Sequence, residues 1–521
     1  MRLISIIPDF HPKDDAVLLA RAEALKPELI YTPYPAPQAC SLNGEALPPE
    51  EMEHTPLSKG DVLLLDYGRH LVGRLTLTLD CAGSHQDAPA FLQLDLAEVT
   101  GELEENPEDY NGWLSCSWIQ RERVHVDQLP AQLPLERRYA FRYVRLTVLD
   151  TSPKYQLLVK RAAAVAESSA DWNALEKHTY KDPMLQRIAE ASLNTLADCT
   201  QLVLEDGPKR DRRLWLGDLA LQALAHYTSF KSMKLIRRCL YLFAGSRFPD
   251  GRMGANVFTE PQVEVDDTFL ADYALMFPIA LRDYVKQTGD AETLRELLAP
   301  ALEQVDLIAD GLDGDGLVTA ESAQSSFIDW SDGLNRAAAL QGVLICACEA
   351  CAELCLQAQD GERSKRYTAL AERLRGAARR AWWSEEAGCF LIGGQAAIHS
   401  QVWLTLADAM PQGRAGQAMK KALETPGAPE MQTPYMHHYY LMALMRAGQW
   451  QEAEDHLRAY WGSMIENGAD TFWECWNPAD PAGSPYGGRI VNSYCHAWSC
   501  TPVYVLTLLE KHREEEEGGS L

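Results

Sequence analysis

The stretch LEDGPKRDRRLWLGD, Leu204–Asp218, crowds four acidic and four basic residues around one tryptophan. It sits between two segments whose apolar residues recur at helical spacing. Upstream, in DPMLQRIAEASLNTLAD, Asp182 can cap a helix, Pro183 fits the first helical position, and Leu185, Ile188, Ser192 and Leu196 fall on one face. Helical periodicity then persists to about residue 511. Some twelve helices are expected, the second near 213–229 and the last near 494–511.

The connections between these helices alternate in length. TGD, Thr288–Asp290, is a short one, in which Gly289 can end a helix and Asp290 cap the next. Helices joined by short turns pack antiparallel, so alternate connections lie at opposite ends and the long loops all share one end. If six hairpins close into a ring, the first and sixth long loops become neighbours, although roughly 260 residues separate them. The first is the charged stretch. The sixth runs from Glu466 to Tyr494 and contains DTFWECWNPADPAGSPYGG. Loops of that length are usually functional or disordered, and tryptophans argue against disorder.

The front of the chain has another period. RLTLTLD, Arg74–Asp80, and VRLTV, Val144–Val148, alternate apolar and polar residues, as half-buried strands do. The expected architecture is therefore multidomain: an N-terminal antiparallel β-sandwich over 1–165, a linker over 166–181, an all-α (α/α)6 barrel of six hairpins over 182–511, and an acidic tail over 512–521.

Composition limits the partners. A net charge of −26 on 521 residues argues against nucleic acid, whose phosphates need an excess of Lys and Arg. The start, MRLISIIPDFHPKDD, has only a short apolar run before Pro8, and no later stretch is expected to span a membrane. Thirteen cysteines without a framework spacing fit reduced thiols, so a cytoplasmic protein is expected. Four of them fall in CACEACAELC, Cys346–Cys355, where Cys348, Cys351 and Cys355 share one helix face and Cys346 does not; buried packing accounts for this better than a metal. No calcium loop is evident, and no metal or cofactor is expected. Self-association into a homo-oligomer remains open.

Two carboxylates on facing loops, walled by indoles, can hydrolyse a glycosidic bond: one protonates the leaving oxygen while the other activates water or attacks. The first loop offers Asp206, Asp211 and Asp218 beside Arg210 and Trp215; the sixth offers Glu474, Asp470 and Asp480 beside Trp473 and Trp476. A plainer reading stays open for each. RDRRLWLGD can be a capped helix start, and WECW can anchor a loop with Glu474 paired to Arg489. Asp329 and Trp330 can be a cap with a packed ring, and His437 and His438 can be buried, hydrogen-bonded histidines.

Asp206, Pro208, Arg210, Asp211, Trp215, Gly217 and Asp218 fill seven of the thirteen positions from 206 to 218 in a pattern close to D-x-P-x-R-[ED]-x-x-x-W-x-G-D. This resembles the signature of the α-L-rhamnosidases of glycoside hydrolase family 78. SSFIDWSDG at 325–333, WECW at 473–476 and SYCHAWSC at 493–500 look like further motifs of that family in its order, and the strand-rich front resembles the domain that precedes its barrel. The resemblance implies an inverting exo-glycosidase releasing terminal α-L-rhamnose, with Asp211 as general acid and Glu474 as general base, about 6.5 to 9.5 Å apart. It implies that Asp206, Arg210, Trp215, Asp218, Asp329, Trp330, Trp473, Trp476 and His496 hold the sugar. Asp211 stands where better-known members carry Glu, Gly207 where Cys is common and Leu214 where Gly is common. Another six-hairpin glycosidase, acting on glucosides, trehalose or uronides, and a non-catalytic carbohydrate-binding protein are the competing expectations.

Overall fold

The alternation in RLTLTLD becomes part of a long strand: Leu75, Leu77 and Leu79 are fully buried while Thr76 and Thr78 are only half-buried. In the computed structural model, which describes residues 10–175 and 179–518, this strand is β2 (Val62–Gly83). It lies in a sheet with β1 (Ile30–Tyr34), β3 (Ala90–Ala97), β4 (Arg121–Val126), β5 (Tyr139–Asp150) and β6 (Tyr155–Ser168). The order is β1-β6-β2-β5-β3-β4, antiparallel throughout, and short strands extend it to ten. The expected antiparallel domain is thus one continuous hydrogen-bonded sheet around one core, with bulges at Phe141–Tyr143 and Val159–Arg161 where β2 exchanges register with its neighbours.

Among the described residues, twelve helices of nine residues or more follow the sheet domain, with one short helix, Ala320–Gln324, between the fifth and sixth of them: α1 (Pro183–Cys199), α2 (Leu216–Thr228), α3 (Met233–Gly245), α4 (Ala271–Thr288), α5 (Ala291–Ala309), α6 (Ala337–Gln357), α7 (Gly361–Trp382), α8 (Ile398–Leu406), α9 (Ala415–Leu423), α10 (Pro434–Arg446), α11 (Trp450–Glu466) and α12 (Pro502–Gly518). The even-numbered helices pack in sequence, α2 on α4, α4 on α6, α6 on α8, α8 on α10, and α12 returns to α2. The odd-numbered helices lie outside them, and α1, the outer partner of α12, also packs on α11. Asp182 caps α1 by accepting from Met184 N and Leu185 N, and Gly289 ends α4 in the left-handed region at φ 68°, as their sequence positions require.

Three boundaries differ from expectation. Residues 13–24 belong with the helices, not the sheet: Ala16–Ala24 is a helix packed on α3, and Lys13–Asp14 pairs with Ser246–Arg247. Its two buried residues, Leu18 and Ala22, join the helical core, a placement that a single short helix does not announce. The last helix begins at Pro502 rather than near 494, because the preceding backbone is bonded across loops, His496 N to Phe472 O and Ala497 N to Asp206 O. The acidic tail is largely the end of α12, which runs to Gly518 and is held where His512 stacks on Trp450. The segments 1–9, 176–178 and 519–521, holding most of the amino-terminal stretch, part of the linker and the end of the tail, lie outside the described residues.

Contrary to expectation, α6 is long and apolar enough to cross a membrane by length and composition; 78% of its most apolar window is buried inside the fold. Its Cys348, Cys351 and Cys355 are buried in the helical core and Cys346 is half-buried, matching the division expected from helical spacing.

Candidate active site

The charged loop between α1 and α2 is closed on itself by Asp206, whose backbone N–H donates to Arg213 O while its Oδ1 accepts from Arg213 N, both at 3.0 Å. Arg210 and Asp211 therefore stand at its tip. Gly207 is required there: a Cβ would lie 2.7 Å from Arg210 O and 2.8 Å from Ser493 Oγ.

Arg210 reaches across to the sixth loop. Its Nε donates to Val491 O at 2.6 Å, its Nη2 to Glu474 Oε2, and its Nη1 lies 3.8 Å from Asp211 Oδ1. Its guanidinium plane sits over the Tyr486 ring at 4.2 Å, and the Tyr486 hydroxyl donates to the other Glu474 oxygen. One guanidinium thus separates the two carboxylates. The Glu474 side chain is 6% exposed, whereas that of Asp211 keeps 22%, so Asp211 faces the open side.

Burial sets the electrostatics. It pushes the Glu474 carboxyl above its ordinary range, against Arg210 and Tyr486, whose donated hydrogen bonds favour the carboxylate. It also raises Asp206 and Asp218 well above theirs, reinforced by Asp211 beside Asp206 and by Glu474 beside Asp218. His496, depressed by burial and then by the Arg210 charge, is a neutral imidazole. Its Nδ1 lies 3.5 Å from Asp218 Oδ1, without the geometry of a hydrogen bond. Asp218 Oδ1, His496 Nδ1 and Trp215 Nε1 are all buried and without hydrogen-bond partners among the described residues.

Of the residues expected at the site, Asp206, Arg210, Asp211, Asp218, Glu474 and His496 form one cluster, with Trp215 on its wall against Tyr273. Trp330 stands at the rim, 38% exposed, its ring centroid 6.0 Å from that of Tyr486.

Others are placed elsewhere. Asp329 is fully buried and its two oxygens accept from Trp330 N, Thr433 Oγ1, His399 Nε2 and Gln432 N, which consumes its capacity for a sugar; it fixes the Phe327–Trp330 segment against the start of α10. Trp473 and Trp476 are both buried in the wall formed by the sixth loop, Trp473 with its indole N–H unpartnered. Trp473 packs between Trp476 and Tyr494, and Trp476 donates its indole N–H to Ser463 of α11. Asp470 accepts from His70 N at the domain junction and Asp480 is exposed. Arg489 pairs with Glu104 and Glu105 rather than with Glu474. His437, bonded to His456 at 2.7 Å and stacked on Tyr460, and His438, whose pKa burial lowers to about 3, are buried histidines.

Tyr486, Trp498, Phe327 and Asp272 complete the site without having been assigned roles from sequence. Trp498 donates to Glu474 O at 2.9 Å and stacks on Phe327, and Asp272 holds that segment by accepting from Phe327 N and Ile328 N. The sheet domain braces the same loops. Buried Lys209 donates to Glu102, and Tyr494 N donates to Glu98. His70 lies between Asp198 at 2.8 Å and Glu98 at 3.0 Å; burial opposes its charge, but Cys495, Asp198 and Glu98 outweigh it and hold its pKa well above the histidine range. His70, Asp198 and Cys495 hold their ligand atoms within 4.8 Å of one another, but with both ring nitrogens engaged by carboxylates the imidazolium itself supplies the positive charge there.

The chain matches two family models: the glycosyl hydrolase family 78 alpha-rhamnosidase N-terminal domain over residues 41–166, and the bacterial alpha-L-rhamnosidase six-hairpin glycosidase domain over residues 178–507. No curated protein matches it in sequence. Among solved structures it resembles a rhamnosidase from Klebsiella oxytoca with rhamnose bound, at TM-score 0.92 and 40% identity, covering 96% of this chain and 99% of that one. It shares the fold of a family 78 rhamnosidase of a Bacillus species, at TM-score 0.72 and 20% identity, covering 86% of this chain and 46% of that one. The same holds for a Streptomyces avermitilis α-L-rhamnosidase complexed with L-rhamnose, at TM-score 0.65 and 18% identity, covering 92% and 44%. With a six-hairpin model spanning more than half its length and a rhamnosidase 40% identical along nearly all of it, the chain belongs to glycosyl hydrolase family 78.

Proposed function

We propose that the protein is an exo-acting α-L-rhamnosidase that hydrolyses its substrate with inversion. The observation that carries this reading is the pair of carboxylates on either side of Arg210, set beside three unpartnered buried polar atoms. Asp211, on the open side, protonates the glycosidic oxygen as the bond to the anomeric carbon breaks. Glu474 takes a proton from a water that attacks the same carbon from the opposite face. Tyr486 and Arg210 each donate to one Glu474 oxygen, which leaves a carboxylate with lone pairs to receive that proton. Asp206, Asp218, His496 and Trp215 bind the ring hydroxyls. Residues for the sugar that are buried behind a partly exposed Asp211 suit a terminal residue better than the middle of a polymer. The Klebsiella and Streptomyces enzymes, each bound to rhamnose, support that sugar as the substrate.

The test is a panel of nitrophenyl glycosides. Release from the α-L-rhamnoside, abolished in Asp211→Asn and Glu474→Gln, is the expected result. Release from the glucoside in preference would assign the site to another six-hairpin glycosidase. Rhamnose binding without turnover that these substitutions remove would make it a binding protein. All thirteen cysteines are free, which supports a reducing compartment, the cytoplasm, as the place of action.

A further inference from the structure

One large aromatic residue at the cup is supplied by the other domain. Trp113 lies in the sheet domain's loop between Asn106 and Ile119, yet its ring centroid is 5.3 Å from that of Tyr486 and 6.5 Å from that of Trp330. It is 57% exposed, an unusual state for tryptophan, and its neighbour Trp330 is also open to solvent. Its position is built. The indole N–H donates to Pro485 O at 3.0 Å, and the Tyr110 hydroxyl donates to Tyr486 O at 3.0 Å and accepts from Leu114 N. Gly112 lets the two loops touch, since a Cβ there would lie 1.9 Å from Tyr486 O. Tyr110, Leu114 and Ile119 pack on Tyr486, Ile490 and Val491.

These rings continue a wall that starts at the floor of the site. His496 contacts Trp498 at 4.3 Å, Trp498 stacks on Phe327 at 5.6 Å, Phe327 meets Trp330 at 5.4 Å, and Trp330 meets Trp113. The inner end lies at His496, beside Asp218, which the proposed reading gives to the sugar; the outer end, at Trp330 and Trp113, is the exposed one, and on that reading the leaving group departs toward the exposed side, where Asp211 stands. Two polar groups of the outer end are already engaged, the Trp113 indole N–H by Pro485 and the Tyr486 hydroxyl by Glu474. Apart from the indole N–H of the exposed Trp330, what remains is ring faces and edges. They suit a planar aromatic group and offer little to the hydroxyls of a second sugar.

We infer that Trp113, with Trp330, forms a leaving-group subsite for an aromatic aglycone, so that the sheet domain sets which rhamnosides are hydrolysed. This rests on the proposed rhamnosidase reading. The stacking lies outside the reacting bond and acts mainly on KM.

The experiment compares wild type, Trp113→Ala and Trp113→Phe on an aryl α-L-rhamnoside and on a rhamnosyl-glucose disaccharide, with inhibition by free rhamnose measured alongside. The expected result is a loss of kcat/KM on the aryl substrate of roughly three- to tenfold in Trp113→Ala, carried by KM and largely restored in Trp113→Phe. The disaccharide and the rhamnose inhibition constant should change less than twofold on the same scale. Equal losses on both substrates, or none on either, would overturn the subsite while leaving the rhamnosidase reading intact. A wild type that releases rhamnose from neither substrate would overturn that reading and the subsite with it.

Discussion

Arg210 and Glu474 stand 264 residues apart in the chain, and the guanidinium Nη2 of one donates to the carboxylate of the other inside a buried site. The contact joins the first long loop to the sixth, which is what closing the ring of hairpins accomplishes. Removing the cation leaves Glu474 buried and unpaired. Arg210→Gln should therefore lose about 3–5 kcal/mol of stability as well as activity. Arg210→Lys should fail to rescue turnover, because an ammonium cannot reproduce the fork that serves Val491 O, Glu474 and the Tyr486 face together. Thermal unfolding and steady-state kinetics on the same samples check both.

The two carboxylates should separate by leaving group. Asp211→Asn removes the proton donor, so its deficit should be roughly 10²–10⁴-fold on an alkyl rhamnoside and much smaller on a dinitrophenyl one, which departs without protonation. Glu474→Gln should lose a similar factor on both. A series of aryl rhamnosides of graded leaving-group pKa measures the difference as a slope.

Tyr486 should govern the acidic limb of the pH profile. Glu474 must be ionised to take a proton from water; burial raises its pKa and the Tyr486 hydroxyl opposes that. Tyr486→Phe removes a donor to the charged form, so the pKa rises further. The acidic limb of kcat/KM should then move to higher pH by about one unit. An acidic limb that stays in place while the alkaline limb moves to higher pH would place Glu474 in the protonated role.

Asp218 should cost stability that its function requires. Burial raises its folded pKa well above the ordinary value, so its contribution is fully present below the unfolded carboxylate pKa, near about pH 4, and is lost as pH rises through the raised one. Asp218→Asn should therefore raise the melting temperature at neutral pH, by the equivalent of about 1 kcal/mol, with little gain near about pH 4. The same change removes an unpartnered acceptor from the site and should weaken rhamnose binding. Unfolding curves at the two pH values, with rhamnose titrations, test both halves.

The helical half is legible because its signals are local. Asp182 and Pro183 start α1, Asp290 caps α5, and alternating loop lengths place the functional loops at one end. The meeting of those loops was legible too, but the choice of Asp211 and Glu474 among Asp206, Asp211, Asp218, Asp470, Glu474 and Asp480 came from the family resemblance. Side-chain direction was not legible. Asp329 and Trp476 have the residue types of a sugar site, but hydrogen bonds to His399 and Thr433, and to Ser463 of α11, engage their polar atoms within the framework. Tyr486 gave no signal beyond its place in a long loop, because its role depends on that loop folding back over Arg210. Trp113 gave none, because it reaches the cup only through docking of a domain whose strands report their own core and nothing of what they touch.

The most direct test of Asp211 and Glu474 acting from opposite faces across Arg210 is the anomeric configuration of the first product. Proton NMR of a nitrophenyl α-L-rhamnoside hydrolysed at high enzyme concentration should show β-L-rhamnose appearing first, followed by slow mutarotation to the α-anomer. First appearance of α-L-rhamnose would mean that a side chain attacks the sugar directly, and would contradict the roles assigned to both carboxylates.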